Sequence, residues 1–256
     1  MNGRRRFILF LLSLSLPVWA GEKITVAAAA DLKFALEEIA ATFRAAYPAD
    51  RIEIIYGSSG KFHTQIQQGA PYDLFFSADI DYPRLLAREG LAASPVRTYA
   101  YGRLVLWSAS RDASQMSLAD LADPAIRKLA IANPKHAPYG KRAEEALRAA
   151  GVWEKVQDRL VLGENIAQTA QFVQSGNAEV GLIALSLAKS PPLAKLGGHR
   201  LIEAKLHAPL EQGFIITRRA AKNPLAQRFA DYVTSPAGRR ILARYGFALP
   251  EETARR

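Results

Sequence analysis

The chain repeatedly places a short, strand-like apolar run directly before a helical pattern, with a brief turn between them. Lys23–Ala30 is followed by apolar residues three and four apart over Asp31–Tyr47, and Arg51–Tyr56 is followed by a helical pattern over Lys61–Gln68. The same order recurs twice between residues 128 and 175. Strands that alternate with helices predict an α/β architecture with mostly parallel sheets. Such sheets bind ligands beyond the carboxyl ends of their strands, at the turns that open the helices.

Two extended stretches, Arg97–Leu106 and Leu210–Thr217, predict a division into lobes. If the chain crosses between units at both, residues 21–100 join residues 216–256 in lobe 1, and residues 101–215 form lobe 2. Two crossing strands beside a cleft make a hinged clamp. We therefore expect a two-lobed protein whose ligand site lies between the lobes.

Residues 1–20 have the pattern of a secretory signal peptide. Met1–Arg6 contains three arginines, Phe7–Leu16 is apolar, and Val18-Trp19-Ala20 has the spacing of a cleavage site. This run of about ten apolar residues is too short for a bilayer, which needs about 20. We expect cleavage after Ala20, export to the periplasm and no membrane-spanning segment in the mature chain.

Composition excludes several kinds of chemistry. The 256 residues include no cysteine and only 4 histidines. Thiol nucleophiles, disulfides, iron–sulfur clusters and cysteine-bound lipids are therefore excluded, and a His-rich metal site is not expected. The formal net charge of +10 is compatible with an anionic ligand. Because no basic tract with interleaved aromatic residues is present, we expect no nucleic-acid partner.

Enzyme motifs give little support for catalysis. Ser58-Ser59-Gly60-Lys61 matches the S-x-x-K motif of penicillin-recognising acyltransferases, but their S-D-N and K-T-G motifs are absent. The chain also lacks a G-x-S-x-G elbow and a P-loop. We expect a protein that is not an enzyme. The alternative function, in a different class of protein, is that of a secreted hydrolase or acyltransferase that uses Ser58 as its nucleophile.

Five stretches of the chain, taken in order, resemble the periplasmic molybdate-binding proteins of ABC transporters. They are KITVAAAADL, YGSSGKFHTQIQQGAPYDLFFSAD, IANPKHAPYGKRA, ENIAQTAQFVQSGNAEVGLIAL and SPAGRRILARYGFALP. The resemblance covers residues 22–250 and implies the two-lobed, type II periplasmic binding protein fold. It implies a protein that captures molybdate or tungstate and delivers it to a membrane ABC permease. It also implies a monomer with no cofactor, and no metal apart from that of the bound oxyanion.

The resemblance also implies which residues hold the oxyanion. Ser58 and Ser59 match the serine pair of the family's second loop, and Tyr139 lies in its Pro-x-Gly turn. Ile166 matches a residue that offers its backbone N–H at a helix start, and Asp31 stands where the family's first loop has a serine. Neutral donors of this kind suit a dianion that has no proton to donate. Sulfate or phosphate stays the alternative ligand, and molybdate and tungstate are too similar in size and charge to be separated.

Asp31 departs from this pattern, because its carboxylate would repel a dianion. Charges about 4 Å apart at an effective dielectric of 20 interact by about 4 kcal/mol. Three interpretations stay open. Asp31 is a helix N-cap that turns away and offers only its N–H, or it pairs with Lys61 as its charge partner, or it accepts a proton from a protonated ligand such as hydrogen phosphate. Our working hypothesis couples Asp31 with Lys61 across the cleft.

Overall fold

The computed structural model describes residues 21–250, and the predicted signal peptide at residues 1–20 lies outside them. The described residues form two five-stranded sheets that are flanked by helices. The strands are β1 Lys23–Ala29, β2 Arg51–Gly57, β3 Leu74–Ser77, β4 Arg97–Gly102, β5 Leu104–Ser108, β6 Leu129–Ala132, β7 Leu160–Gly163, β8 Val180–Ala184, β9 Gly198–Leu201 and β10 Leu210–Ile216. The helices are α1 Lys33–Ala46, α2 Ser59–Gln67, α3 Asp81–Arg88, α4 Pro138–Ala149, α5 Trp153–Val156, α6 Ile166–Gln174, α7 Leu185–Ala188, α8 Pro224–Thr234 and α9 Pro236–Arg244. Within residues 21–250, none of these helices has the length and apolar character to cross a bilayer.

The first sheet, which we take as the centre of lobe 1, has the strand order β2-β1-β3-β10-β4. β1 runs parallel to β2 and β3, whereas β10 runs antiparallel to β3 and β4. β1 is apolar almost throughout, as expected for a parallel strand covered on both faces, and Ile24 and Val26 are fully buried. α1 buries Leu36 and Phe43 on one face, and the Phe43 ring lies 5.3 Å from that of Phe229 in α8. This packing holds α1 against α8.

The second sheet, the centre of lobe 2, repeats the same arrangement in the order β7-β6-β8-β5-β9. β6 runs parallel to β7 and β8, and β5 runs antiparallel to β8 and β9. β6, β7 and β8 thus occupy the places that β1, β2 and β3 have in the first sheet, and β5 occupies the place of β10. Each sheet is mixed, with three parallel strands on one side. The predicted two-lobed α/β architecture is confirmed.

The chain crosses between the two sheets at two places. β4 belongs to the first sheet and β5 to the second, so the first crossing is at Gly102–Leu104. The return crossing lies between β9 and β10, and all of β10 belongs to the first sheet, where Gly213 pairs with Ser77. The return therefore precedes Leu210, earlier than the predicted end of lobe 2 at residue 215. An extended apolar pattern does not reveal which sheet a strand joins.

Three helices begin differently from the sequence prediction, and all three differences fall after strands. α2 begins at Ser59 rather than at Lys61. Asp31 lies in a 3₁₀ turn, Ala30–Leu32, and α1 begins only at Lys33. α4 begins at Pro138 rather than at Gly140. Proline suits the first helical turn, because its fixed φ is helical and its missing N–H has no partner to lose there. The connection after β6 is therefore shorter than predicted, whereas the 3₁₀ turn lengthens the connection after β1.

Candidate functional site

The carboxyl ends of the parallel strands in both sheets surround one small cavity between the lobes. All five residues that the sequence analysis proposes as oxyanion ligands line it: Asp31, Ser58, Ser59, Tyr139 and Ile166. The other lining residues are alanines, Gly57 and Pro138. The cavity volume is about 10 Å³, which is room for about one water molecule. A tetrahedral oxyanion therefore enters only when the lobes part and the lining adjusts around it.

Lobe 1 contributes two serines that follow β2 directly. Ser58 caps α2, and its Oγ accepts the Lys61 N–H at 3.5 Å. Ser59 Oγ accepts the N–H of Ala78 at 3.0 Å, so the Ser59 hydroxyl keeps its own hydrogen for another acceptor. Both serines are buried, which strengthens any hydrogen bond they give to an anion.

Lobe 2 contributes a backbone donor at the start of α6. Asn165 caps this helix, and its Oδ1 accepts the N–H groups of Ala167 and Gln168, each at 3.0 Å. The N–H of Ile166, one residue earlier, is one of the groups that a helix start leaves for an outside acceptor. The buried Ile166 side chain supplies an apolar wall.

Asp31 is the charged residue of the cavity and is only 1% exposed. Its Oδ2 accepts two hydrogen bonds, from the Tyr139 hydroxyl at 3.1 Å and from Gln212 Nε2 at 2.7 Å. Its Oδ1 has no hydrogen-bond partner within residues 21–250. Burial raises the pKa of Asp31 to about 6, although hydrogen bonds from Gln212 and Tyr139 and, to a smaller extent, the backbone N–H groups of Asp31 and Leu32 lower it. In this arrangement the single Tyr139 hydroxyl hydrogen is given to Asp31.

Two of the three interpretations of Asp31 are wrong. Asp31 is not a helix N-cap, because Ala29 holds that position for the 3₁₀ turn and Leu32 holds it for α1. Lys61 does not pair with Asp31, because its Nζ forms an ion pair with Glu164 of lobe 2. The Lys61 side chain is half exposed, whereas Asp31 is buried, so the two lie in different surroundings. The interpretation in which Asp31 shares a proton with the ligand stays a prediction.

Gln212 and Tyr99 belong to this site and were missed by the sequence analysis. Gln212 is fully buried in β10, and its Oε1 accepts the hydroxyl of Tyr99 in β4 at 2.6 Å. This bond orients the amide so that Nε2 faces Asp31. A glutamine inside the apolar strand Leu210–Ile216 is the signal that could have found it, because buried polar side chains have partners.

A second group of polar contacts joins the lobes at the edge of the cavity, and we call Lys61, His136 and Glu164 the rim cluster. The His136 carbonyl accepts the Gly60 N–H at 3.0 Å, and the His136 ring nitrogen Nδ1 lies 2.9 Å from Ser58 Oγ. Glu164 Oε2 lies 3.6 Å from His136 Nε2, and Glu164 also pairs with Lys61. The side chains of Lys61 and Glu164 are 52% and 43% exposed, so water screens their attraction.

A buried cavity that is lined by strand-to-helix turns from two lobes defines a class, the two-lobed solute-binding proteins. The model of one such family, the bacterial extracellular solute-binding proteins, matches residues 24–248. The chain belongs to this family.

Individual relatives agree with this assignment. The molybdate-binding protein ModA of Azotobacter vinelandii is 36% identical over 228 residues, which cover 89% of this chain and 90% of that protein. ModA of Rhodobacter capsulatus is 36% identical over 239 residues, or 93% and 92% of the two chains. The solved structure of the periplasmic molybdate-binding protein of Azotobacter vinelandii matches with a TM-score of 0.81 at 33% identity, and covers 89% of this chain and 99% of that one. The family resemblance seen in the sequence is confirmed.

Proposed function

We propose that this chain captures molybdate or tungstate and delivers it to an ABC permease. One observation carries the proposal: strand-to-helix turns from both lobes meet at one buried cavity and bring Ser58, Ser59 and Ile166 together there. These residues can offer hydroxyl and backbone N–H hydrogens, which suit an oxyanion without protons. The names of the two ModA relatives support molybdate as the ligand.

Closure of the lobes completes the site, because neither lobe holds all the donors. Ser58 and Ser59 belong to lobe 1, whereas Ile166 belongs to lobe 2, as does Tyr139, whose hydroxyl donates to Asp31. An oxyanion held between them exchanges its water shell for these groups and favours the closed form over the open one. The permease then recognises the closed form.

The proposal includes the setting in which the protein works. The chain is exported to the periplasm after loss of residues 1–20 and acts there as a monomer. It uses no cofactor, binds no nucleic acid and catalyses no reaction. Membership of an extracellular solute-binding family supports this location and role.

Calorimetric titration with molybdate, tungstate, sulfate and phosphate tests the ligand. We expect molybdate and tungstate to bind, and sulfate, a smaller dianion, to bind more weakly. Ser59→Ala should lower the molybdate affinity about 10- to 100-fold, because a hydrogen bond to a charged group contributes about 1.5–3 kcal/mol. The matched control is Ser108→Ala, a buried serine of lobe 2 whose Oγ donates to the Glu179 carbonyl at 2.8 Å, and it should keep the affinity. Binding of phosphate alone would contradict the proposed ligand.

One observation favours a second candidate function, a hydrolase or acyltransferase that uses Ser58. Ser58 Oγ lies 2.9 Å from His136 Nδ1, and His136 Nε2 lies 3.6 Å from Glu164 Oε2. This is the order of nucleophile, base and acid in a catalytic triad. The Ser58–His136 contact joins the two lobes, however, and so forms only when Ser58 is buried in a cavity without room for an ester. We expect no turnover of a chromogenic ester. Turnover that Ser58→Ala abolishes would establish this function instead.

A further inference from the structure

Asp31 has one carboxyl oxygen that the protein itself does not use. Oδ2 accepts hydrogen bonds from Tyr139 and Gln212, whereas Oδ1 makes no hydrogen bond of normal geometry among the described residues, although Asp31 is 1% exposed. The backbone N–H groups of Asp31 and Leu32 act on the carboxyl only weakly. Leaving a buried carboxylate oxygen without a partner is costly. Asp31 lines the cavity between the lobes. Oδ1 is therefore the oxygen that remains for a bound oxyanion.

We propose that Asp31 makes oxyanion capture proton-linked, with one proton held between Asp31 Oδ1 and an oxygen of the bound oxyanion. The inference rests on the proposed function and specifies the protonation state that the site selects. A molybdate dianion meets an ionised Asp31 in the open protein, and one proton from the solvent then joins the carboxylate. The products are a carboxylic acid and the unchanged dianion, which accepts the new hydrogen bond. A protonated oxyanion such as hydrogen phosphate brings the same proton itself.

The hydrogen bonds around Asp31 determine which oxygen carries the proton. The Tyr99 hydroxyl donates to Gln212 Oε1 at 2.6 Å, so the Gln212 amide offers its N–H to Asp31 Oδ2 at 2.7 Å. The Tyr139 hydroxyl gives its hydrogen to the same oxygen. An oxygen that accepts two hydrogen bonds is a poor place for a third hydrogen. The proton therefore resides on Oδ1.

No neighbouring charge offers another way to neutralise Asp31, since none of the ion pairs within residues 21–250 includes it. The titratable groups that face it are the hydroxyls of Tyr139 on α4 and Tyr99 on β4, and burial raises the pKa of both well above 10, so both are neutral. α6 and α7 also pack against the Ala30–Leu32 turn and contain no titratable side chain. On α2, Lys61 is paired with Glu164, and α1 begins with the exposed Lys33.

The same surroundings make protonation near neutral pH attainable. Burial raises the pKa of Asp31 to about 6 in the closed protein, and a dianion at Oδ1 raises that pKa further. In the open protein, where water reaches the carboxyl, its pKa returns towards the ordinary value of about 4. Binding therefore takes up a proton at pH 7, and molybdate affinity falls as the pH rises.

Calorimetric titration with molybdate at pH 7.5, in two buffers of different ionisation enthalpy, measures the proton directly. We expect the wild-type protein to take up about one proton per molybdate, and its affinity to fall up to about tenfold per pH unit between pH 6 and 8. Asp31→Asn supplies a permanent N–H donor of the same shape. It should take up no proton, show a flat pH profile and bind molybdate at least about tenfold more tightly than wild type at pH 8.

Two further proteins complete the design. Asp73→Asn is the matched control, because Asp73 is a buried carboxyl of lobe 1 that accepts the Thr25 N–H at 2.7 Å and pairs with Arg219, and is not among the residues that line the cavity. Its proton uptake should equal that of wild type. Asp31→Ser removes the carboxyl with a smaller side chain. If circular dichroism shows that Asp31→Asn is misfolded, the pH dependence of molybdate affinity in Asp31→Ser tests the proton link instead.

Each outcome supports or overturns one specific statement. The proton link is overturned if wild type binds molybdate tightly without taking up a proton. It is also overturned if Asp31→Asn has the same pH dependence of molybdate affinity as wild type. Either result leaves the proposed function intact. Absence of molybdate and tungstate binding by folded wild type and Asp31→Asn overturns the proposed function. Phosphate binding with less proton uptake than molybdate supports the proton link, because hydrogen phosphate brings its own proton.

Discussion

The two sets of contacts that hold the lobes together differ in their surroundings. Inside the cavity, Asp31 of lobe 1 accepts hydrogen bonds from Tyr139 of lobe 2 at its carboxyl and from Ser186 Oγ at its backbone carbonyl, the latter at 2.7 Å. At the edge, the rim cluster pairs Lys61 with Glu164 in contact with water. Breaking a buried hydrogen bond leaves an unsatisfied group in a dry place, whereas an exposed ion pair contributes about 0–1 kcal/mol. Buried hydrogen bonds should therefore control ligand binding more strongly than the exposed charges of the rim cluster.

The largest effect should come from Gly60, where the backbones of the two lobes meet. A Cβ at this position would lie 2.7 Å from the His136 carbonyl oxygen and 2.9 Å from the Tyr82 hydroxyl. Because the first neighbour is backbone of the other lobe, Gly60→Ala should prevent full closure. We expect the molybdate affinity to fall about 100-fold, or about 2.7 kcal/mol, in calorimetry.

The fold should survive this change, since alanine is favoured over glycine in a helix such as α2. The melting temperature of the protein without ligand should stay the same or rise. Gln67→Ala, at the exposed end of the same helix, is the control and should bind as wild type does. An unchanged affinity in Gly60→Ala would show that the closed arrangement is not the binding form.

An intermediate effect is expected at Tyr139. Tyr139→Phe removes one of the two donors to Asp31 Oδ2 and leaves Gln212 alone. Asp31 is a neutral carboxylic acid when molybdate is bound, and a hydrogen bond between neutral groups contributes about 0.5–1.5 kcal/mol, so molybdate affinity at pH 7 should fall about two- to tenfold. Because the Tyr139 bond lowers the pKa of Asp31, its loss raises that pKa. The fall of affinity with rising pH should then continue to a higher pH than in wild type, because the Tyr139–Asp31 bond joins the lobes and acts only in the closed protein.

The pH series separates this role from simple loss of packing, which would lower the affinity equally at every pH. Tyr72→Phe is a suitable control, because the Tyr72 hydroxyl donates to Gln65 at the surface of lobe 1. It should leave both the affinity and the pH profile unchanged. A pH profile of Tyr139→Phe that coincides with that of wild type would contradict the coupling of Tyr139 to Asp31.

The sequence predicted those parts of the molecule that depend on neighbours along the chain. The apolar run of β1, the serines after β2 and the helix start at Ile166 are all local patterns, and the structure places them close to where they were expected. Parallel strands bring their carboxyl ends together, so local turns also indicate a shared site. The order of these turns, together with the family resemblance, therefore predicted residues that line one cavity, whereas their contact with an oxyanion stays a prediction.

The contacts of Asp31 could not be predicted in this way, because they depend on tertiary pairing. Gln212 is 181 positions away from Asp31 and reaches it only because β10 inserts between β3 and β4. Lys61 was expected to pair with Asp31 because it lies at the start of the second ligand helix and carries the opposite charge, but its long side chain extends to Glu164 of the other lobe. Charge complementarity in a sequence identifies possible partners, and burial decides which of them meet.

The smallest effect should come from the rim cluster. Glu164→Gln removes the charge that faces Lys61 and His136 and keeps the size of the side chain. Because Lys61 and Glu164 are about half exposed, we expect molybdate affinity to change less than about fivefold, or under about 1 kcal/mol. The change should shrink further in high salt, which screens exposed charges. A double-mutant cycle with Lys61→Gln measures the coupling between the two side chains. A coupling above about 1 kcal/mol would reverse the comparison between the rim and the cavity, since it would mean that water does not weaken this ion pair once the lobes have closed.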